Sequence, residues 1–145
     1  NAPLNQRVLY ESSQVFLLHR VPFGSMGRFI AILLEHCAGK LPLWLSPEQV
    51  RLLPISDKFM DYAENIFNSL NNYDIRCSID KRTEKIGRKI RDAEINKVPI
   101  MIILGEKESS QQTLAVRLQG QGDQGGYDLN NFIEFFNKKL NQISN

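Results

Sequence analysis

Between Lys81 and Lys97 the chain carries seven Lys or Arg residues against three acids, Glu84, Asp92 and Glu94. At 100° per residue, Ile86, Ile90 and Ala93 share one face of a helix over residues 83–97. Glu84, Arg88 and Arg91 lie roughly opposite, with Lys85 beside them. Such a helix packs its apolar side and turns cationic forks to solvent. A guanidinium suits bidentate contact with phosphate oxygens and base edges. Spacing alone does not separate an RNA-binding face from an ordinary solvated one. Arg117 is a second candidate, because it alternates out of the apolar set Leu114, Val116 and Leu118. Glu108 follows a strand and falls at a sheet edge, where open α/β sheets gather their ligands. By pattern alone, a surface salt bridge is the simpler account of Arg117.

Other chemistries find little support. His19 and His36 are the only histidines, and neither has neighbours at ligand spacing. Cys37 and Cys77 lie far apart without a CxxC partner and read as two reduced, buried thiols. No P-loop, nucleophile elbow or GxGxxG run is present.

The elements that must position these residues follow from hydrophobic period. Gln14–Leu18 fits a buried strand, although a continuous apolar run of this length is not separated from a helix by period alone. Phe29, Ile30, Ile32, Leu33 and Cys37 mark a helix that stops at Gly39 and is apolar around most of its circumference, so it needs more partner surface than its neighbours supply. The prolines at 42 and 47 make residues 41–47 an extended connector, with a domain boundary near Ser46. Beyond it come a strand over 50–55, a helix from Phe59 to Leu70 with Ser56 as its N-cap, and a strand over 75–79. The basic helix and a central strand, Ile100–Leu104, follow. Gly105 and Lys107 mark a turn, a strand covers 113–118, and the four glycines of residues 119–126 predict a loop. Asp128 is placed to cap a last helix. This alternation implies a largely parallel sheet covered by helices.

Composition agrees with a globular domain. The 145 residues are 42% hydrophobic and 23% charged, with a net charge of +2. No apolar run approaches the roughly 20 residues a membrane span needs, and an intracellular, cytoplasmic protein is expected.

Several segments together resemble the threonyl-tRNA synthetases, a family of class II aminoacyl-tRNA synthetases. Residues 19–36, His-Arg-Val-Pro-Phe-Gly-Ser-Met-Gly-Arg followed by an apolar helix, are similar to motif 3 of that family. Residues 42–50 resemble its junction into the anticodon domain, and 84–92 its helix signature. Val98–Met101, Gly105–Glu108 and Val116-Arg117 then follow in the family's order. The resemblance covers residues 19–136. It implies a class II anticodon-binding fold: a mixed, largely parallel sheet of about five strands flanked by three helices over residues 46–145. A strand–helix remnant of the catalytic core would occupy residues 1–45.

The resemblance also implies roles. Arg28 would bind the ATP phosphate tail, and His19 would be one of three ligands of a zinc ion that holds threonine by its amino and hydroxyl groups. Arg91, Glu108 and Arg117 would contact anticodon bases, and Thr83, Lys85 and Arg88 would complete the tRNA-binding set. The implied full enzyme is a homodimer that uses ATP, Zn2+, threonine and the threonine tRNA. Motifs 1 and 2 are not among these residues, so the chain by itself is expected to bind tRNA without charging it. Gly27 stands where the family usually has Glu, and Thr83 where it often has Asn. These departures motivate a second reading, a non-catalytic paralogue that serves as an RNA- or protein-binding module.

Overall fold

The structure, a computed structural model, describes residues 20–141. The expected strand at 14–18 and His19 lie outside the described residues. The chain divides into two compact units, residues 1–33 and 34–145.

Helix α1 (Met26–His36) has no buried residue, and Phe29, Ile30, Ile32 and Leu34 are exposed along it. It ends as the glycine predicts. Gly39 has φ +71°, and its N–H donates to the Leu34 carbonyl at 2.8 Å.

The second unit is an α/β fold. Its sheet consists of β1 (Val50–Pro54), β2 (Cys77–Ile79), β3 (Ile100–Leu104), β4 (Thr113–Leu118) and β5 (Gly122–Asp128), in the order β2-β1-β3-β4-β5. Strand β1 runs parallel to β2 and β3, whereas β4 pairs antiparallel with β3 and β5. The sheet is therefore mixed, and its parallel part is the β2-β1-β3 half. The helices are α2 (Met60–Asn71), α3 (Ile86–Ile95), the short α4 (Glu106–Gln111) and α5 (Leu129–Asn141).

The pleat sorts the core into two faces. Val50, Leu52, Ile100, Ile102, Leu114 and Val116 pack with Ala63, Ile66 and Leu70 of α2 and Phe132 and Phe136 of α5. On the other face Leu53 and Met101 meet Ala93, Ile86 and Ile90 of α3. Strand β3 is apolar on both sides because helices cover both.

Three expectations are corrected. Residues 119–126 do not form a loop throughout: β5 begins at Gly122, pairs with β4 and carries a register shift at Val116/Arg117. Glycines with φ of +79° and +97° at 122 and 125 accommodate that irregular edge. The turn at 105–107 opens a helical turn, α4, rather than leading directly to β4. Ser56 makes no side-chain cap. A 3-10 turn, Asp57–Phe59, intervenes, and α2 starts at Met60.

The connector is fastened to this second unit. Arg76 donates from Nε to the Ser46 carbonyl (3.0 Å) and from Nη2 to that of Trp44 (2.7 Å). The Gln49 side chain donates to the Leu43 carbonyl at 2.9 Å and accepts from the Arg76 N–H at 3.0 Å.

Candidate nucleic-acid interface

The parallel strands β1, β2 and β3 all end at one edge of the sheet. The chain leaves them there through Ile55-Ser56, through residues 80–85, and through Gly105 into α4. Helix α3 starts at this edge and runs back across the sheet face towards the start of β3. Its first helical residue is Ile86, not Thr83. Lys85 is the N-cap with extended backbone (φ −60°, ψ 138°), so Thr83, Glu84 and Lys85 belong to an extended lip. Thr83 and Lys85 are exposed on that lip. A cavity of about 320 Å3 opens beside them, lined by Ile55, Ser56, Asp57, Arg82 and Lys89 among others.

Of the seven basic residues, five are engaged. Arg82 forks onto Asp80 (Nε–Oδ1 2.9 Å, Nη2–Oδ2 2.6 Å) and reaches Asp92 at 2.8 Å. Lys81 pairs with Glu64 at 2.9 Å, Lys97 donates to the Ala38 carbonyl, and Arg88 pairs with Glu84 at 3.2 Å. Lys89 is buried. Lys85 and Arg91 are exposed and have no ion-pair partner among the described residues. The Arg88 pair is itself solvent-exposed, and such pairs contribute little, so a phosphate can displace the glutamate.

Arg117 leaves the core as its alternation predicts. It faces the α3 side, opposite Met101 in the β3 register, and its guanidinium lies 3.5 Å from Glu94 of α3. Arg91, three residues before Glu94, lies on the outward side of α3, nearly opposite the buried Ala93. The Arg117 Nε is buried without a well-formed hydrogen bond, so the group is not fully satisfied by Glu94.

Glu108 stands elsewhere, at the strand-end edge. Arg117 pairs three residues before β3 ends at Leu104, roughly 10 Å along the strand. The Glu108 carboxylate accepts the Gly105 N–H at 3.0 Å. This is half of a capping box, because glycine has no side chain to return the bond. Burial, with the Glu108 charge adding to it, holds the Tyr62 hydroxyl above its ordinary pKa. That hydroxyl donates to the Thr113 carbonyl at 3.0 Å.

The sequence reading missed Lys89. It lies three residues after Ile86 and four before Ala93, on the inward stripe, and that position was the available signal. It is 3% exposed, and Nζ donates to the carbonyls of Pro54 (3.0 Å) and Asp80 (3.1 Å). The hydrogen bonds from Arg82 hold the Asp80 carboxyl below the usual carboxylate range despite its burial.

The first unit contributes less to the site. Arg28 is exposed on α1. Among the described residues no group of three His, Cys, Asp or Glu could hold a metal ion, so they do not make a zinc site.

Known proteins share the sequence and the fold of this chain. A family model described as an anticodon binding domain matches residues 49–139. A threonine–tRNA ligase of Parabacteroides distasonis is 51% identical over 129 residues, covering 89% of this chain and 20% of the relative. That of Phocaeicola vulgatus is 53% identical over 130 residues, again covering 89% of this chain and 20% of the relative. The chain thus spans about one fifth of the length of the curated relatives it matches. The crystal structure of the RNA binding domain of the Cryptosporidium parvum threonyl-tRNA synthetase superposes with a TM-score of 0.74 at 31% identity, over 80% of this chain and 29% of that one. A five-stranded mixed sheet with a cationic helix across its face, matched by sequence and by shape, shows that this chain belongs to the anticodon binding domain family.

Proposed function

We propose that the chain is the anticodon-reading part of a threonine–tRNA ligase. One observation carries this reading. The lip at Thr83 and Lys85, the outer face of α3 with Arg88 and Arg91, and Arg117 beside Glu94 form a track of donors from the strand-end edge across the sheet face. A single-stranded RNA loop presents phosphates and unstacked base edges to such a track. Lys85 and Arg88 supply phosphate contacts. Arg91 and Arg117 read base edges, and Glu108 accepts from a base amino or imino group at the strand-end edge.

In the parent enzyme, residues 46–145 would hold the anticodon loop while the threonine-charging chemistry proceeds elsewhere, and residues 1–45 would belong to the catalytic part. Arg28 would meet the ATP phosphates, His19 the zinc, and the parent would work in the cytoplasm as a homodimer. The chain alone, incubated with ATP, threonine and tRNA, is expected to yield no charged product.

The test is binding of a threonine anticodon stem-loop at fixed salt. Arg117→Ala is expected to weaken it by roughly 1–3 kcal/mol and to relax preference at one anticodon position. An unchanged dissociation constant overturns the assignment.

A further inference from the structure

We propose that Lys89 is a positioning residue for RNA recognition: it ties the ends of β1 and β2 together from inside and thereby fixes the lip that carries Thr83 and Lys85. The inference rests on the anticodon-reading function proposed above and adds to it a residue that touches no RNA.

Residues 80–85 form neither helix nor strand, yet they are held from three sides. From below, Lys89 Nζ bridges the carbonyls of Pro54, the last residue of β1, and Asp80, the first residue beyond β2. From the sheet, the Asp80 N–H donates to the Leu52 carbonyl at 3.0 Å. From outside, Arg82 grips the Asp80 carboxylate and Asp92 of α3, while its own N–H donates to Asp80 Oδ1 at 3.1 Å. A buried ammonium is costly unless it is hydrogen-bonded, and two carbonyls with an anionic Asp80 nearby meet that requirement. The apolar stripe of α3 has no packing need for a cation at this position, because Ile86, Ile90 and Ala93 already face Leu53 and Met101.

The consequence is pre-organisation. A lip already in its bound shape loses less conformational freedom when it meets RNA, so its contacts appear as affinity rather than being offset by ordering. Lys89 also lines the cavity beside Thr83 and Lys85, so its bridge sets that cavity's floor. The same clamp removes Arg82 from the set of groups able to bind phosphate, although sequence position alone would place it there.

The experiment is a set of double-mutant cycles in the full chain, read as dissociation constants for the threonine anticodon stem-loop. Lys89→Met keeps the stem length and removes the donors. It is expected to weaken binding about tenfold. In that background Lys85→Ala should add almost nothing, because the lip is already disordered, while Arg117→Ala should keep its full effect. Lys89→Gln, which retains two N–H donors, should recover part of the loss. Arg82→Gln loosens the same lip from its exposed side and should show the same selective coupling to Lys85. It serves as the second arm where Lys89→Met does not fold. If every Lys89 and Arg82 variant is additive with both Lys85→Ala and Arg117→Ala, or if neither weakens binding, the positioning role is wrong. If the unaltered chain ignores the stem-loop, the anticodon reading itself fails, and the cycles are not needed to see it.

Discussion

At the scale of the residue, much of the cationic segment's charge is already engaged within the protein. Seven basic side chains fall between positions 81 and 97, but Lys89 is buried on backbone carbonyls, Arg82 is forked onto the buried Asp80, and Lys97 donates to a backbone carbonyl. Net charge over a segment therefore overstates its capacity for phosphate. Asp80 shows the same economy in reverse. Its carboxyl is held down by hydrogen bonds from Arg82, with the Lys89 charge adding to the effect. Because the folded pKa is below the unfolded value of 3.8, its stabilisation is present above that value and is lost as pH falls through the folded pKa. Asp80→Asn should lower stability by about 1–2 kcal/mol at neutral pH. The gap to the unaltered chain should narrow as the pH drops below 4. Thermal melts of both proteins across that range check this, and a constant gap would show that Asp80 acts by its shape instead.

At the scale of the element, the apolar stripes were legible and their ends were not. Ile100–Leu104 reads as a central strand because only a strand covered on both faces tolerates five consecutive apolar residues. The alternation around Arg117 gave its outward direction directly. The helical period of α3 runs back through Thr83, Glu84 and Lys85, three residues before the helix starts. Their geometry is decided by the hydrogen bonds of Asp80, Arg82 and Lys89, which no local pattern records. Strand β5 was hidden for a different reason. Three of the seven residues of Gly122–Asp128 are glycine and only Tyr127 is apolar, so no alternation shows, and its pairing with β4 is a backbone property. Two element-scale substitutions follow. Phe132→Ala in α5 empties a fully buried ring site and should cost roughly 3–5 kcal/mol in denaturant unfolding. Glu108→Gln keeps an acceptor for the Gly105 N–H, so the melting temperature should hold within a degree or two, with a change of about 0.5 kcal/mol or less. Any loss in stem-loop binding by that variant then reports on RNA, whereas a large drop in melting temperature would assign Glu108 to the cap.

At the scale of the whole molecule, the candidate interface was legible as a set of residues and not as an arrangement. The sequence supplied Arg91, Arg117 and Glu108. The structure distributes them, with Arg91 on the outer side of α3, Arg117 on β4 beside Glu94, and Glu108 at the strand-end edge. An RNA loop that engages all of them must run along the helix rather than sit at one point. Such a track predicts two separable kinds of mutant. Removing Arg88, whose exposed pair with Glu84 is readily exchanged for a phosphate, should weaken binding of every loop sequence alike. The slope of log affinity against log salt should fall by about 0.7–0.9 for the lost contact. Removing Arg117, half-shielded beneath Glu94, should leave that slope nearly intact and erode discrimination between anticodons. Salt titrations of both variants against matched and mismatched stem-loops distinguish the two. If Arg88→Ala changes base preference, or if Arg117→Ala changes only the salt slope, then phosphate and base contacts are assigned to the wrong ends of the track.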